Sequence, residues 1–261
     1  MQALHVASTG MMAMELNVEV ISNNIANMTT TGYKQMRVDF QDLIYQNHRR
    51  MGAQSSDAGT IYPVGVQVGT GVQVAATPRV MTQGSVEFTE KTLDVAIQGE
   101  GFFQIQMPDG STTYTRDGSF ERDPSGTLVT IDGYTVEPGI TIPSDATQVT
   151  ISQDGQVQVN LPGQTAVQVV GQIELARFVN KEGLESIGDN LFRETDASGA
   201  PQTATPGLDG AGTVLQGALE VSNVASVKEI SSLITAQRAY EMNSRVVAAA
   251  DEMLATTSQL R

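Results

Sequence analysis

Residues 4–28 read LHVASTGMMAMELNVEVISNNIANM. Leu4, Ala7, Met11, Met14, Val18, Ile21, Ile25 and Met28 recur there in alternating steps of three and four. That spacing is the a/d stripe of a coiled-coil helix and predicts a helix over residues 3–28. Near the other end, Ile230, Leu233, Gln237, Tyr240, Ser244, Val247 and Leu254 keep the same rhythm less regularly, which predicts a second helix. Gly10, beside Ser8 and Thr9, weakens the first helix by about 1 kcal/mol relative to alanine. Thr29, Thr30 and Thr31 are β-branched and Gly32 suits a reversal, so the helix has reason to stop there. Asn17, Ser22, Asn23, Asn24 and Asn27 form an amide-rich face. Amides can hydrogen-bond across a contact without a charge to desolvate, so this face is expected to be packed.

Between the helices the hydrophobic period falls to two. Tyr33–Tyr45 alternates charge with bulk and is expected to form a short helix or an extended connector. Residues 46–63 are polar, with Arg49, Arg50, Gly52, Gln54, Ser55 and Ser56 among them. They read as a loop longer than compact domains usually carry, and therefore as either a disordered or a functional one. Val64, Val66 and Val68 face Val72 and Val74 around Gly69 and Gly71, the pattern of a hairpin. Asp109-Gly110, Asp117-Gly118, Asp132-Gly133 and Asp154-Gly155 each separate strand-like runs. Asp-Gly is a strong hairpin signal because a tight I′ turn needs positive φ at both central residues. Residues 198–212 read as a Pro/Gly/Ser/Thr linker, with a return to helix near Val221. The expected fold class is α+β: a discontinuous terminal α-helical coiled-coil domain, an extended connector and a central mainly-β domain. The boundaries drawn from sequence are 1–32, 33–70 with the polar loop at 46–63, 71–212, and 213–261.

With 261 residues, the chain can bury a real core. It has no cysteine, which excludes disulfides, thiolate metal sites and cysteine nucleophiles. Its net charge of −14 argues against nucleic acid. The acidic excess lies in the middle, because residues 4–28 carry only Glu15 and Glu19. No basic region followed by an apolar run marks a secretory signal, and no apolar run approaches membrane-spanning length. Conventional signals alone would leave the chain in the cytoplasm.

Catalytic chemistry finds little support. Gly99-Glu100-Gly101 follows a strand, but it lacks a third glycine and leads into β-like sequence rather than a helix. The turn aspartates do not cluster with calcium-loop spacing. His5 and His48 have no partners that would make a zinc site or a triad. The expectation is a non-enzymatic protein without cofactor or metal.

Several motifs, in order, resemble the flagellar rod and hook axial proteins. They are Ser22-Asn23-Asn24-Ile25-Ala26-Asn27, Thr31-Gly32-Tyr33-Lys34 with Phe40, and Leu93-Asp94-Val95-Ala96-Ile97 with Gly99-Glu100-Gly101-Phe102-Phe103. Tyr114-Thr115-Arg116-Asp117-Gly118-Ser119-Phe120 follows. Near the end come Leu219-Glu220-Val221-Ser222-Asn223-Val224 and Gln237-Arg238-Ala239-Tyr240-Glu241-Met242-Asn243. Residues 52–56, 183–191, 198–201 and 206–208 are similar to runs in the branch of that family that builds the distal rod.

The resemblance implies a structural subunit that polymerises into a helical tube, serving as a drive shaft around an export channel. It implies export through the flagellar apparatus without a cleaved signal peptide. The partners implied are further copies of the chain, proximal rod proteins, hook-side proteins, outer ring proteins acting as a bushing, a rod cap and the export apparatus. The implied assembly interface runs through both stripes and the signature residues: Leu4, Met11, Met14, Val18, Ile21, Asn23, Asn24, Ile25, Asn27, Gly32 and Tyr33, then Ile230, Leu233, Gln237, Arg238, Tyr240, Asn243, Val247 and Leu254. The loop at 46–63 is expected to bridge subunits. The acidic β body alone also fits a second reading, a secreted adhesin or carbohydrate binder oligomerised through terminal coiled coils. Scarce aromatics count against glycan binding.

Overall fold

A computed structural model describes residues 2–53, 61–163 and 166–259. Along the chain, helix α1 (Gln2–Ala26) and helix α2 (Ser226–Gln259) flank a stretch made almost entirely of short strands, and every strand pairing among the described residues is antiparallel. The fold is α+β, as the sequence predicts. The chain divides into two compact units. The first comprises Met1–Ala26, Met36–Pro78 and Ala225–Arg261; the second comprises Asn27–Gln35 and Arg79–Val224.

In the first unit α1 and α2 run antiparallel, with Asn24 beside Glu229 and Gly10 beside Asn243. α1 buries Ala7, Ala13, Val20, Ile21 and Asn24; α2 buries Glu229, Ala236 and Ala250. The α1 stripe holds in outline: Leu4, Met11, Met14, Val18 and Ile25 are half-buried, while Met28 lies beyond the helix. The α2 stripe holds only in part, with Leu233 and Val247 half-buried. Ile230, Gln237, Tyr240, Ser244 and Leu254 are exposed, and the residues one place earlier, Glu229, Ala236 and Asn243, turn toward α1. Small size rather than hydrophobicity selects this seam, because alanine and glycine let two helix backbones approach. Gly10 belongs to that arrangement: a Cβ there would sit 2.8 Å from the Asn243 amide nitrogen. It marks a close approach as well as a local cost in helix propensity.

Two small ladders complete the first unit. Asp39–Asp42 pairs with Val72–Ala76, and Tyr45–Arg49 pairs with Val66–Gly69. Residues 64–74 therefore do not form the predicted hairpin; their two strands take partners from the 39–49 run. That run is extended, the second of the two forms expected for it. The polar stretch begins as a strand, with the Arg49 guanidinium 4.2 Å over the Tyr62 ring and Gly52 N–H donating to Tyr62 O at 3.0 Å. Gln54, Ser55 and Ser56 lie outside the described residues.

The second unit is organised by strand Phe102–Gln106, which is buried on both faces. It pairs with Thr112–Thr115, Thr135–Val136 and Leu175–Arg177 within a nine-stranded sheet. One face sends Phe103 and Ile105 into a core with Val95, Ile97, Leu128, Val136, Val157, Val159 and Ile173. The other sends Phe102 toward Tyr114, Phe178 and Phe192, whose rings meet edge to face at 4.8–5.9 Å. A three-stranded sheet, Gln148–Ile151, Gln156–Asn160 and Gln168–Gln172, adds Val157 and Val159 to the first core from alternate positions of its middle strand.

Asp109-Gly110, Asp132-Gly133 and Asp154-Gly155 do join paired neighbouring strands. Their geometry is not the predicted one, since glycine alone takes positive φ in each. At the first of these turns the aspartate instead accepts from a backbone N–H two residues on, Ser111 N to Asp109 Oδ1 at 2.9 Å. Asp117-Gly118 is a bend without a hairpin, bridging Ser119 to Asp94. Residues 198–212 are not a free linker, because strand Gln202–Ala204 pairs with Leu175–Arg177 and buries Ala204. Beyond residue 212, Thr213–Gln216 pairs with Val95–Gln98 and Ala218–Glu220 with Val86–Phe88, so α2 begins only at Ser226.

Candidate assembly site

The amino- and carboxy-terminal signature motifs are stitched together by buried polar groups within each unit. In the first unit Asn24 projects from the last turn of α1, 1% exposed. Its Oδ1 accepts from Met36 N–H at 2.9 Å and its Nδ2 donates to Met36 O at 2.8 Å. One side-chain amide thus satisfies both backbone groups of Met36, as a neighbouring strand would. Nδ2 also donates to Glu229 Oε2 at 3.2 Å, tying the end of α1 to the start of α2. An uncharged amide suits this place: it donates to one group and accepts from another while buried.

In the second unit the motif carboxylate Glu220 is fully buried. Its Oε1 accepts from the Lys34 ammonium and from Gly84 N–H at 2.9 Å, and its Oε2 accepts from Arg116 Nη1 at 3.1 Å. Lys34 also donates to Thr82 O at 2.8 Å, and Arg116 Nη2 to Gly99 O at 2.7 Å. The glycine-rich run at 99–101 thus supplies an acceptor for a buried arginine. Arg116 packs its guanidinium over Phe102, 5.4 Å from the ring centre, and its Nε alone among the described buried side-chain polar atoms has no partner. Burial pushes the pKa of both Lys34 and Arg116 down, and the Glu220 carboxylate opposes that shift. Beside this cluster Asn223 accepts from Gln35 N–H at 2.7 Å and donates to Val80 O at 2.8 Å.

Gly32 N–H donates to Glu220 O at 2.8 Å, with φ +68°; a Cβ on it would lie 2.6 Å from Asp117 N. Tyr33 is buried beside Arg79, whose guanidinium lies 5.7 Å from the ring centre. Gly32, Tyr33 and Asn24 are therefore covered within their own chain. Of the remaining residues singled out from sequence, Asn23, Ile230, Gln237, Arg238, Tyr240 and Leu254 are exposed, while Leu233, Asn243, Val247 and Asn27 are half-buried. The Lys34–Glu220–Arg116 cluster went unpredicted as a unit. Its signal was one charged residue embedded in each of three separate motifs.

No set of three or more His, Cys, Asp or Glu side chains among the described residues is arranged to hold a metal. No described helix is long and apolar enough to cross a membrane. In the Lys34–Glu220–Arg116 cluster the buried charges pair with one another and with backbone groups, which is structural chemistry.

Three family models match along the chain. A flagella basal body rod protein model covers residues 4–34, the D1 domain of flagellar hook protein FlgE/F/G covers 96–159, and the C-terminal region of basal body rod FlgEFG proteins covers 215–260. The chain is 58% identical to the flagellar basal-body rod protein FlgG of Caulobacter vibrioides over the full length of both. It is 49% identical to that of Agrobacterium fabrum over 99% of each, and 38% to that of Bacillus subtilis over 97% of each. The chain belongs to the flagellar basal-body rod proteins. It is a structural subunit of the rod within the flagellar basal body, built to assemble with its own kind and with other basal-body components. The adhesin or carbohydrate-binder reading finds no support. The matched segments 4–34 and 215–260 contain Asn24, Lys34, Glu220, Asn223 and Glu229, and Arg116 falls within the segment matched at 96–159.

Proposed function

We propose that this rod protein forms the distal part of the rod as an open helical homopolymer, a stiff tube that transmits torque and encloses the export channel. The observation that carries the reading is the uncovered apolar surface of the helix pair. Met12 is 63% exposed on α1, and Ile230, Ile234, Met242, Val246 and Met253 are exposed on α2. A helix pair that shows this much apolar side chain is fitted to further contacts. α1 and α2 then line the tube, and the β-rich unit meets outer ring proteins acting as a bushing. The tube ends join proximal rod proteins on one side and hook-side proteins on the other, under a rod cap. Residues 46–63 bridge neighbouring copies. The chain leaves the cell through the flagellar export apparatus without a cleaved signal peptide, crosses the periplasm as part of the rod, and has no catalytic role.

Substituting Ile234 and Met242 by aspartate tests this in cells that depend on the variant for rod completion. The expected result is a protein that is made and exported but yields basal bodies without a distal rod in electron micrographs. Normal rods with both substitutions would refute the reading.

A further inference from the structure

Halfway along the helix pair an open groove of about 380 Å³ lies between α1 and α2, lined by Glu15, Val18, Glu19, Gln237, Tyr240 and Glu241. Its walls are mainly apolar, from Val18 and the Tyr240 ring, and its rim carries three carboxylates. None of the three has an ion-pair partner among the described residues. Among the described residues they are the only formally charged ones that line the groove, and α1 has no lysine or arginine at all. α2 carries two exposed arginines in the same stretch, Arg238 and Arg245, which also lack an ion pair within the described residues. At 100° per residue they stand about 180–200° around α2 from Ala236, the residue turned into the α1 seam.

One chain therefore presents an acidic, partly apolar groove on the flank of the seam and a pair of guanidinium groups on the outer face of α2. An open helical array needs this kind of arrangement: a heterologous contact joins two different patches of the same molecule, whereas a closed dimer would join a patch to itself. Arginine fits the groove well. Its stem can lie on Val18, its planar head can stack on Tyr240, and its fork can pair with a carboxylate.

We propose that the groove at Glu15, Glu19 and Glu241 receives the outward arginines, Arg238 or Arg245, of a second copy. This contact sets the register between neighbouring helix pairs. The proposal rests on the reading of the terminal helices as the contact layer of the polymer. It adds a charge-coded register to contacts that are otherwise apolar and would tolerate sliding.

The test is a charge-swap series in the full chain. One variant carries Glu15→Arg with Glu19→Arg, another Arg238→Glu with Arg245→Glu, and a third all four substitutions. Each is scored for rod completion and swarming in cells lacking the native protein, and each purified chain is followed by circular dichroism on heating. The proposal expects both two-site variants to lose swarming, the four-site variant to regain it in part, and the melting of the isolated chains to stay unchanged. Unimpaired swarming of both two-site variants would overturn it, as would a four-site variant no better than its parents. A drop in the melting of the isolated two-site variants, restored in the four-site variant, would place the pairing within one chain and also overturn it. Loss of rods in the Ile234 and Met242 aspartate variants alongside normal rods in this series would leave the helix-layer reading standing and remove only the charge code.

Discussion

Replacing Glu220 by glutamine keeps the side chain's shape and removes its charge. In the native protein that carboxylate faces two buried cations, with Lys34 1% and Arg116 4% exposed. Glutamine offers them one carbonyl oxygen and turns an NH₂ group toward the other cation. Removing one partner of a buried ion pair costs about 3–5 kcal/mol, because the remaining charge is neither paired nor solvated. Lys34 has a way out that Arg116 lacks. A lysine with the ordinary pKa of 10.5 gives up its proton at pH 7 for about 5 kcal/mol, and burial already pulls Lys34 below that value. Its share of the penalty is therefore capped, and Arg116 stays charged. The expected loss for Glu220→Gln is about 3–5 kcal/mol in the β-rich unit, a large part of the 5–15 kcal/mol typical of a domain. Lys34→Met should cost less, about 1–3 kcal/mol, because Glu220 keeps Arg116 and the Gly84 N–H. Urea unfolding followed by the β signal in circular dichroism and by tyrosine fluorescence measures both, since the chain has no tryptophan. A Glu220→Gln variant within 1 kcal/mol of the native protein, or one more stable than Lys34→Met, would refute the argument.

Gly32→Ala should destabilise the β-rich unit by about 1–3 kcal/mol, since alanine must take φ +68° with its Cβ pressed against the Asp117 backbone; urea unfolding reads it directly. Asn24→Asp should weaken the helix pair more than Asn24→Ala, because it sets a second carboxylate beside Glu229 and removes the donor to Met36 O; thermal melts of the helical signal should rank the two in that order. Burial, with Glu194 and Glu137 nearby, pushes the Tyr114 phenol from 10 up to about 12. Between those values the folded chain holds a proton that the unfolded chain has lost. Stability should therefore be intact below pH 10 and fall by roughly 2–3 kcal/mol as pH rises toward 12. Lys34, shifted down, acts with the opposite sign over its own alkaline range. The comparison with Tyr114→Phe at matched pH isolates the phenol.

The two terminal helices and the short-strand body were legible because their periods of 3.5 and 2 are set by which face is buried. The α2 seam was read correctly at Leu233 and Val247 and one residue late at Ile230, Gln237 and Ser244, because the rule applied there rewards hydrophobicity, while Gly10, Ala13, Ala236 and Ala250 pack by being small. Strand partners were less legible than strands. Val66–Gly69 and Val72–Ala76 look like a hairpin locally, and only the 39–49 run, extended beside them, decides otherwise. At the candidate site, the motifs pointed to the right segments. The sequence could not show that Lys34, Arg116 and Glu220 share one enclosure, since each looks like a single surface charge until the chain is folded. Asn24 was expected on a packed face and is packed, with the Met36 backbone as a partner in addition to Glu229 on the neighbouring helix.

The Lys34–Glu220 link spans 186 residues of sequence. Closing so long a loop carries an entropic cost that nearby contacts do not repay in advance, and folds that depend on distant pairings form slowly. The β-rich unit cannot fasten its own beginning until position 220 is available. In a chain that becomes free from its start onward, that first segment would thus stay slack, and its latch would shut only when almost all of the chain had arrived.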